Sequence, residues 1–211
     1  MQAITLRPLS AEDSLLELTT MLHSAFSRLG RMGISCSCVD QSVARTRQRV
    51  GLGECFVAEC EGRVVGTLTL HRHERGSESD VYRSRRVASL HQFAVDPEYQ
   101  GRGVGGKLLE LAETWAARHG YDELALDTPT AAAHLIAFYR HQGFRLAEIL
   151  RFSGRDYASA VLAKNVLRAA ATSHVLRFRR PAMTLCGVNP DTFAGHSHPG
   201  RTVRAPSPRI R

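Results

Sequence analysis

Apolar and polar side chains alternate from Ile4 to Leu9, which predicts a first strand stopped near Pro8. Leu15, Leu16, Leu18, Met21, Leu22 and Phe26 then recur at helical spacing, with Ser10 or Asp13 available as the cap. Gly30 to Gly33 opens a polar loop containing Cys36 and Cys38, and Ser42 to Val50 predicts a short helix with Arg45, Arg47 and Arg49 spread around it. Cys55–Cys60 and Arg63–Leu70 read as two strands joined by a Glu61-Gly62 turn. Arg72 to Arg86 is charged and carries glycine and serine, the composition of a surface loop. A strand over Leu90–Val95 precedes a glycine-rich segment and a helix running to about His119, ended by Gly120. Glu123–Asp127 is a strand, Thr128 to Thr130 a turn, Ala131–Gln142 a helix ended by Gly143, and Phe144–Phe152 and Tyr157–Leu162 a closing pair of strands. The order β-α-α-β-β-β-α-β-α-β-β predicts an α/β layered fold with a mixed, mainly antiparallel central sheet flanked by helices.

The stretch with the clearest chemistry is Leu90 to Lys107, LHQFAVDPEYQGRGVGGK. Asp96-Pro97 breaks the strand, since proline removes a ladder donor and fixes its own φ. Gly101, Gly103, Gly105 and Gly106 then lead into a helix. Glycines there let successive N–H groups converge on one point beside the positive end of the helix dipole, which makes an anion site with Arg102 and Lys107 at its rim. Gly101-x-Gly103-x-x-Gly106 also fits a dinucleotide fingerprint, with Asp127 about 20 residues on. Residues Asp96 to Gln100, however, separate these glycines from their strand, and no Gly-Lys-Ser/Thr of a Walker loop is present. NAD or ATP binding is the alternative that this segment leaves open.

Gln100-x-x-Gly103-x-Gly105, followed by Ala133-His-Leu-Ile-Ala-Phe-Tyr139-Arg-His-Gln-Gly143-Phe144, resembles the paired motifs of the GNAT (GCN5-related N-acetyltransferase) superfamily. The likeness runs from about Ile4 to Val166. It implies an acetyl-CoA-dependent N-acetyltransferase in which Gln100, Gly101, Arg102, Gly103, Val104, Gly105 and Gly106 hold the coenzyme pyrophosphate. It further implies that the backbone of Phe93 and Val95 pairs with the pantetheine arm, one N–H facing the thioester oxygen. Tyr139 matches the tyrosine that protonates the leaving thiolate. His91, two residues before Phe93 and on its face by strand periodicity, is the leading base; it matches one of two histidines on this strand in arylalkylamine acetyltransferases. Ser89 stands where those relatives have the other, and Ala132 where the second motif often has asparagine, with His134 as a replacement. Glu59 and Glu98 are weaker candidates for the base. No cysteine is expected at a covalent-intermediate position, so transfer is expected to be direct, in a ternary complex. The other reading is an acyl-CoA-binding sensor or scaffold without catalysis, in which Tyr139 and His91 only pack.

Composition narrows the partners. The 211 residues suffice for one domain with a full core, and the 43% hydrophobic content is ordinary. Of the formal charge of +8, residues from Arg168 onward supply +7 through eight arginines against one aspartate, which leaves +1 on the rest. Nucleic-acid binding is therefore not expected. No apolar run approaches the ~20 residues of a membrane span. Five cysteines without framework spacing suit a reducing compartment, so a cytoplasmic enzyme is expected. Cys36-x-Cys38 is too close for the usual zinc pair, and no metal is expected. Residues 1–166 form the expected catalytic domain; 167–211, with five of the eight prolines, form an expected disordered basic tail. The acceptor is a small-molecule or peptide amine, and a homodimer is possible because relatives commonly dimerise.

Overall fold

The computed structural model describes residues 3–166, so the expected tail over 167–211 lies outside the described residues. The chain runs β1 (Thr5–Pro8), α1 (Leu15–Arg31), α2 (Val43–Val50), β2 (Glu54–Cys60), β3 (Arg63–His71), α3 (Asp80–Arg83), β4 (Val87–Val95), a 3-10 turn (Pro97–Tyr99), α4 (Val104–Arg118), β5 (Glu123–Pro129), α5 (Ala133–His141), β6 (Arg145–Leu150) and β7 (Ser159–Asn165). The strands form one seven-stranded sheet in the order β1-β2-β3-β4-β5-β7-β6. Only β4 and β5 pair in parallel. That mainly antiparallel sheet is not the doubly wound parallel sheet of a dinucleotide fold.

The periodicities named above decide which faces are buried. Leu108, Leu109, Ala112 and Trp115 of α4 pack on one face of the sheet against Leu68, Leu70, Leu90, Leu124, Leu126 and Leu162. Leu18, Met21 and Leu22 of α1 cover the other face with Ala94. Each such buried leucine contributes about 1.5–3 kcal/mol by leaving water. Leu16, assigned to the apolar stripe from its spacing, is 64% exposed. The cap of α1 is Ser14, whose hydroxyl accepts from the Glu17 N–H, and neither Ser10 nor Asp13. Asp13 instead accepts from the Ser10 N–H and the Arg7 guanidinium.

Two further elements differ from the sequence reading, and both shape the site. The stretch 72–86 is not simply a surface loop: α3 sits within it and buries Tyr82 against Val87, Ala125 and Val161. In β4, register with β3 shifts between Thr69↔His91 and Thr67↔Ala94, and Gln92 takes a φ of 49°. Two residues, Gln92 and Phe93, thus stand opposite one, and the alternation of faces is reset. Before the bulge Ala88 and Leu90 face α4; after it Phe93 and Val95 do, while Ala94 faces α1. His91 faces away from α4, against Tyr82. His91 and Phe93 therefore lie on opposite faces, contrary to the strand-periodicity argument.

Candidate active site

The parallel ladder between β4 and β5 ends at Ser89↔Ala125, and no β4–β5 pair follows it among the described residues. Beyond that point the two strands splay. The Asp96 N–H returns to the Val65 carbonyl on β3 at 2.9 Å. By the alternation of an antiparallel pair, the Val95 N–H, and that of Phe93 two residues back, turn away from β3 into the gap. A cleft of about 1260 Å³ passes through this gap, lined by His91, Gln92, Phe93 and Val95 of β4, the glycine loop, and Tyr139 of α5.

At one end stands the glycine loop. Gly103 is the N-cap of α4 at a φ of 82°, a left-handed conformation that a side chain disfavours. Among the described residues no side chain caps this helix, so the N–H groups of its first turn are left without a side-chain acceptor there. A Cβ on Gly105 would stand 3.5 Å from the Phe93 ring and 3.7 Å from Val95 and Phe138, so a larger side chain would fill the floor of the cleft. An open floor, uncapped donors and a helix dipole fit a phosphate group. The Gln100 amide donates to the Val95 carbonyl at 3.0 Å, fastening the loop to the end of β4. Arg102 stacks over Tyr99, and Val104, the first residue of α4, is buried in the core, so neither side chain lines the cleft.

Tyr139 is buried between Phe93, Phe138 and Phe144, with ring centroids 5.3–6.2 Å away. Burial, with Asp127 adding to it, pushes its hydroxyl well above the ordinary tyrosine range, so it stays protonated. No described residue hydrogen-bonds that hydroxyl.

His91 enters the cleft from the opposite face. Its Nε2 lies 2.8 Å from Glu74 and 3.0 Å from the Ser89 hydroxyl, and its ring stacks on His71 at 4.2 Å. Burial alone would raise the Glu74 carboxyl; the nearby His71 ring, with Nδ1 3.7 Å away, and hydrogen bonds from His91 and Ser89 outweigh it and hold the group well below the usual carboxylate range. An ionised carboxylate only accepts, so Nε2 carries the hydrogen and Nδ1 is the basic nitrogen. The sequence reading missed Glu74, because nothing local distinguishes it within a charged loop.

Glu59 is engaged by Arg7, and Glu98 is exposed beside Arg63; neither lines the cleft. Ala132 is fully buried at the start of α5, and His134 lines the cleft, its imidazole lowered by partial burial and then by Arg28. Cys36 and Cys38 also line the cleft, where sequence placed no reactive cysteine. Burial pushes both thiols up, Cys36 to about 11, so both are protonated and weakly nucleophilic near neutral pH. The far end is completed by Asp127, which pairs with Arg155 and accepts from the Tyr82 hydroxyl at 3.2 Å.

The family model of the acetyltransferase (GNAT) family matches residues 33–144. S-(2-succino)cysteine N-acetyltransferase of Bacillus subtilis (strain 168) is 30% identical over 135 residues, which span 63% of this chain and 77% of that protein. Human N-acetyltransferase 8 is 31% identical over 109 residues, 51% of this chain but only 46% of the human one. Among solved structures, a GNAT family acetyltransferase from Elizabethkingia anophelis with acetyl-CoA bound superposes with a TM-score of 0.55 at 19% identity, covering 77% of this chain and 97% of that one. The ribosomal-protein-S18-alanine N-acetyltransferase of Escherichia coli gives a TM-score of 0.58 at 20% identity, over 82% and 100%. At these identities the superpositions speak to the fold.

Proposed function

The chain belongs to the acetyltransferase (GNAT) family, and from that premise we propose that it moves the acetyl group of acetyl-CoA to the primary amine of a small molecule. The observation that carries this reading is the convergence of the uncapped glycine loop, the splayed edge of β4 and Tyr139 on one cleft. A small acceptor accords with a relative named for S-(2-succino)cysteine.

In this mechanism the N–H groups from Gly101 to Gly106 receive the pyrophosphate, Arg102 and Val104 contributing through their backbone alone. The backbone of Phe93 and Val95 holds the pantetheine arm as a strand would be held. An N–H of that edge donates to the thioester oxygen and stabilises the charge it gains as the amine nitrogen bonds to the carbonyl carbon, in the manner of an oxyanion hole. Nδ1 of His91 takes the proton lost by the amine, directly or through a water, and Glu74 steadies the imidazolium. As the C–S bond breaks the sulfur takes a hydrogen from Tyr139, water returns a proton to the tyrosine, and His91 releases the amine's proton to water. Transfer is direct, because the cleft thiols are protonated.

The test is release of free CoA thiol from acetyl-CoA across a panel of primary amines. Amine-dependent release with stoichiometric amide formation supports the reading; binding of acetyl-CoA with no turnover of any amine would leave only a coenzyme-binding domain.

A further inference from the structure

The acceptor end of the cleft is unbalanced in charge. Arg28, Arg31, Arg49 and Arg155 line it, against Asp127 as the sole lining carboxylate among the described residues. Asp127 is committed to Arg155. Arg28 and Arg31 belong to the exposed end of α1, where water compensates them.

Arg49 differs. It is half-buried at the end of α2, and its Nη1 donates to the Gln41 side-chain carbonyl at 2.8 Å and to the Cys38 sulfur at 3.1 Å. Gln41 is itself buried and fixed, its amide donating to the Thr46 hydroxyl, which lies 2.7 Å from that of Thr19. This chain of hydrogen bonds locks α2 to α1 and aims a guanidinium that has no carboxylate partner among the described residues. Nε and Nη2 have no partner among those residues either. A cation that is partly desolvated and held by neutral groups alone is stabilised when an anion arrives, and the planar fork suits a carboxylate.

The location assigns that anion to the acceptor. Cys38, in contact with Arg49, lies within electrostatic reach of Arg155 and Asp127. Asp127 accepts from Tyr82, whose ring neighbours His91. Arg49 thus belongs to the end of the cleft that holds the proposed base, and the phosphate-fitting loop is built by other elements. We infer that the acceptor is an amine that also carries a carboxylate, an amino-acid-like molecule, and that Arg49 is the residue that selects it. The inference rests on the N-acetyltransferase reading above.

The test assays thiol release with wild type, R49K and R49Q on L-amino acids bearing S-alkyl and S-carboxyalkyl cysteine side chains. Each is run beside its carboxamide and its decarboxylated amine. The expected result is a wild-type preference for the acid over both neutral counterparts. R49Q should cut that preference roughly ten- to hundredfold, the value of a charge-assisted hydrogen bond, by raising KM for the acid, and R49K should recover part of it. Calorimetric titration of the same proteins with acetyl-CoA separates the causes. Neutral amines used as well as acids by wild type would overturn the assignment while leaving the acetyltransferase reading standing. R49Q losing acetyl-CoA affinity would overturn it by placing Arg49 on the coenzyme. A wild type that binds no acetyl-CoA would overturn both readings together.

Discussion

Glu74 and His91, seventeen residues apart, meet at 2.8 Å through one carboxylate oxygen and Nε2. The contact joins a segment that reads as an ordinary charged loop to the strand that edges the cleft. It fixes which imidazole nitrogen is basic, and together with His71 and Ser89 it keeps Glu74 ionised.

Glu74→Gln separates these effects. Losing the carboxylate removes the acceptor that orients the imidazole through Nε2, so kcat/KM is expected to fall. Stability follows its own sign. The folded state holds Glu74 below its ordinary value of 4.5, so its contribution is complete above that pH and fades as the pH falls through the lowered value. Denaturation of wild type and E74Q should therefore differ most above about pH 5 and converge under acid. A constant difference down to pH 2–3 would sink the linkage.

Tyr139→Phe keeps the ring packed among Phe93, Phe138 and Phe144 and removes only the hydroxyl. Turnover should fall about a hundredfold with little change in KM for acetyl-CoA or in melting temperature. Unchanged turnover would return Tyr139 to a packing role.

Gln92 is 95% buried by its 5% exposure, lines the cleft with both amide atoms unpartnered, and sits at positive φ. Gln92→Gly should fold with a melting temperature near wild type, since glycine adopts that φ freely. Gln92→Val should lose roughly 1–2 kcal/mol, because a β-branched residue resists the left-handed region. Chemical denaturation distinguishes them; equal stabilities would mean the bulge is not held as described.

Gly105→Leu tests the cleft floor. Ordinary contact distances already surround a Cβ at this position, so a leucine should be accommodated at the folding level yet obstruct the cleft between Phe93 and Phe138. Acetyl-CoA affinity should drop at least tenfold with the far-ultraviolet circular dichroism unchanged, and an unaltered dissociation constant would argue against the coenzyme lying there.

What was legible in the sequence was what is local. The glycine loop, the break at Asp96-Pro97, and the spacing from Tyr139 to Gly143-Phe144 are runs of neighbours whose geometry depends on little else. The order of elements along the chain, α3 apart, followed from periodicity for the same reason. The face of His91 was misassigned because a bulge is a relation between two strands, and Gln92 carries no glycine signal for a positive φ. Glu74 and Arg49 were hidden because their roles come from partners brought in by tertiary packing: Ser89 and His91 for one, Gln41 and Cys38 for the other. Among arginines spread around a short helix, nothing in the sequence tells which one turns inward.

The most direct test of the account is calorimetric titration of the full chain with acetyl-CoA, run beside NAD and ATP and repeated with Gly103→Glu. The glycine cradle predicts acetyl-CoA binding in the micromolar range, no comparable NAD or ATP binding, and loss of binding when a carboxylate enters the anion site at the start of α4. Absence of acetyl-CoA binding by wild type, or binding undiminished by Gly103→Glu, would contradict it.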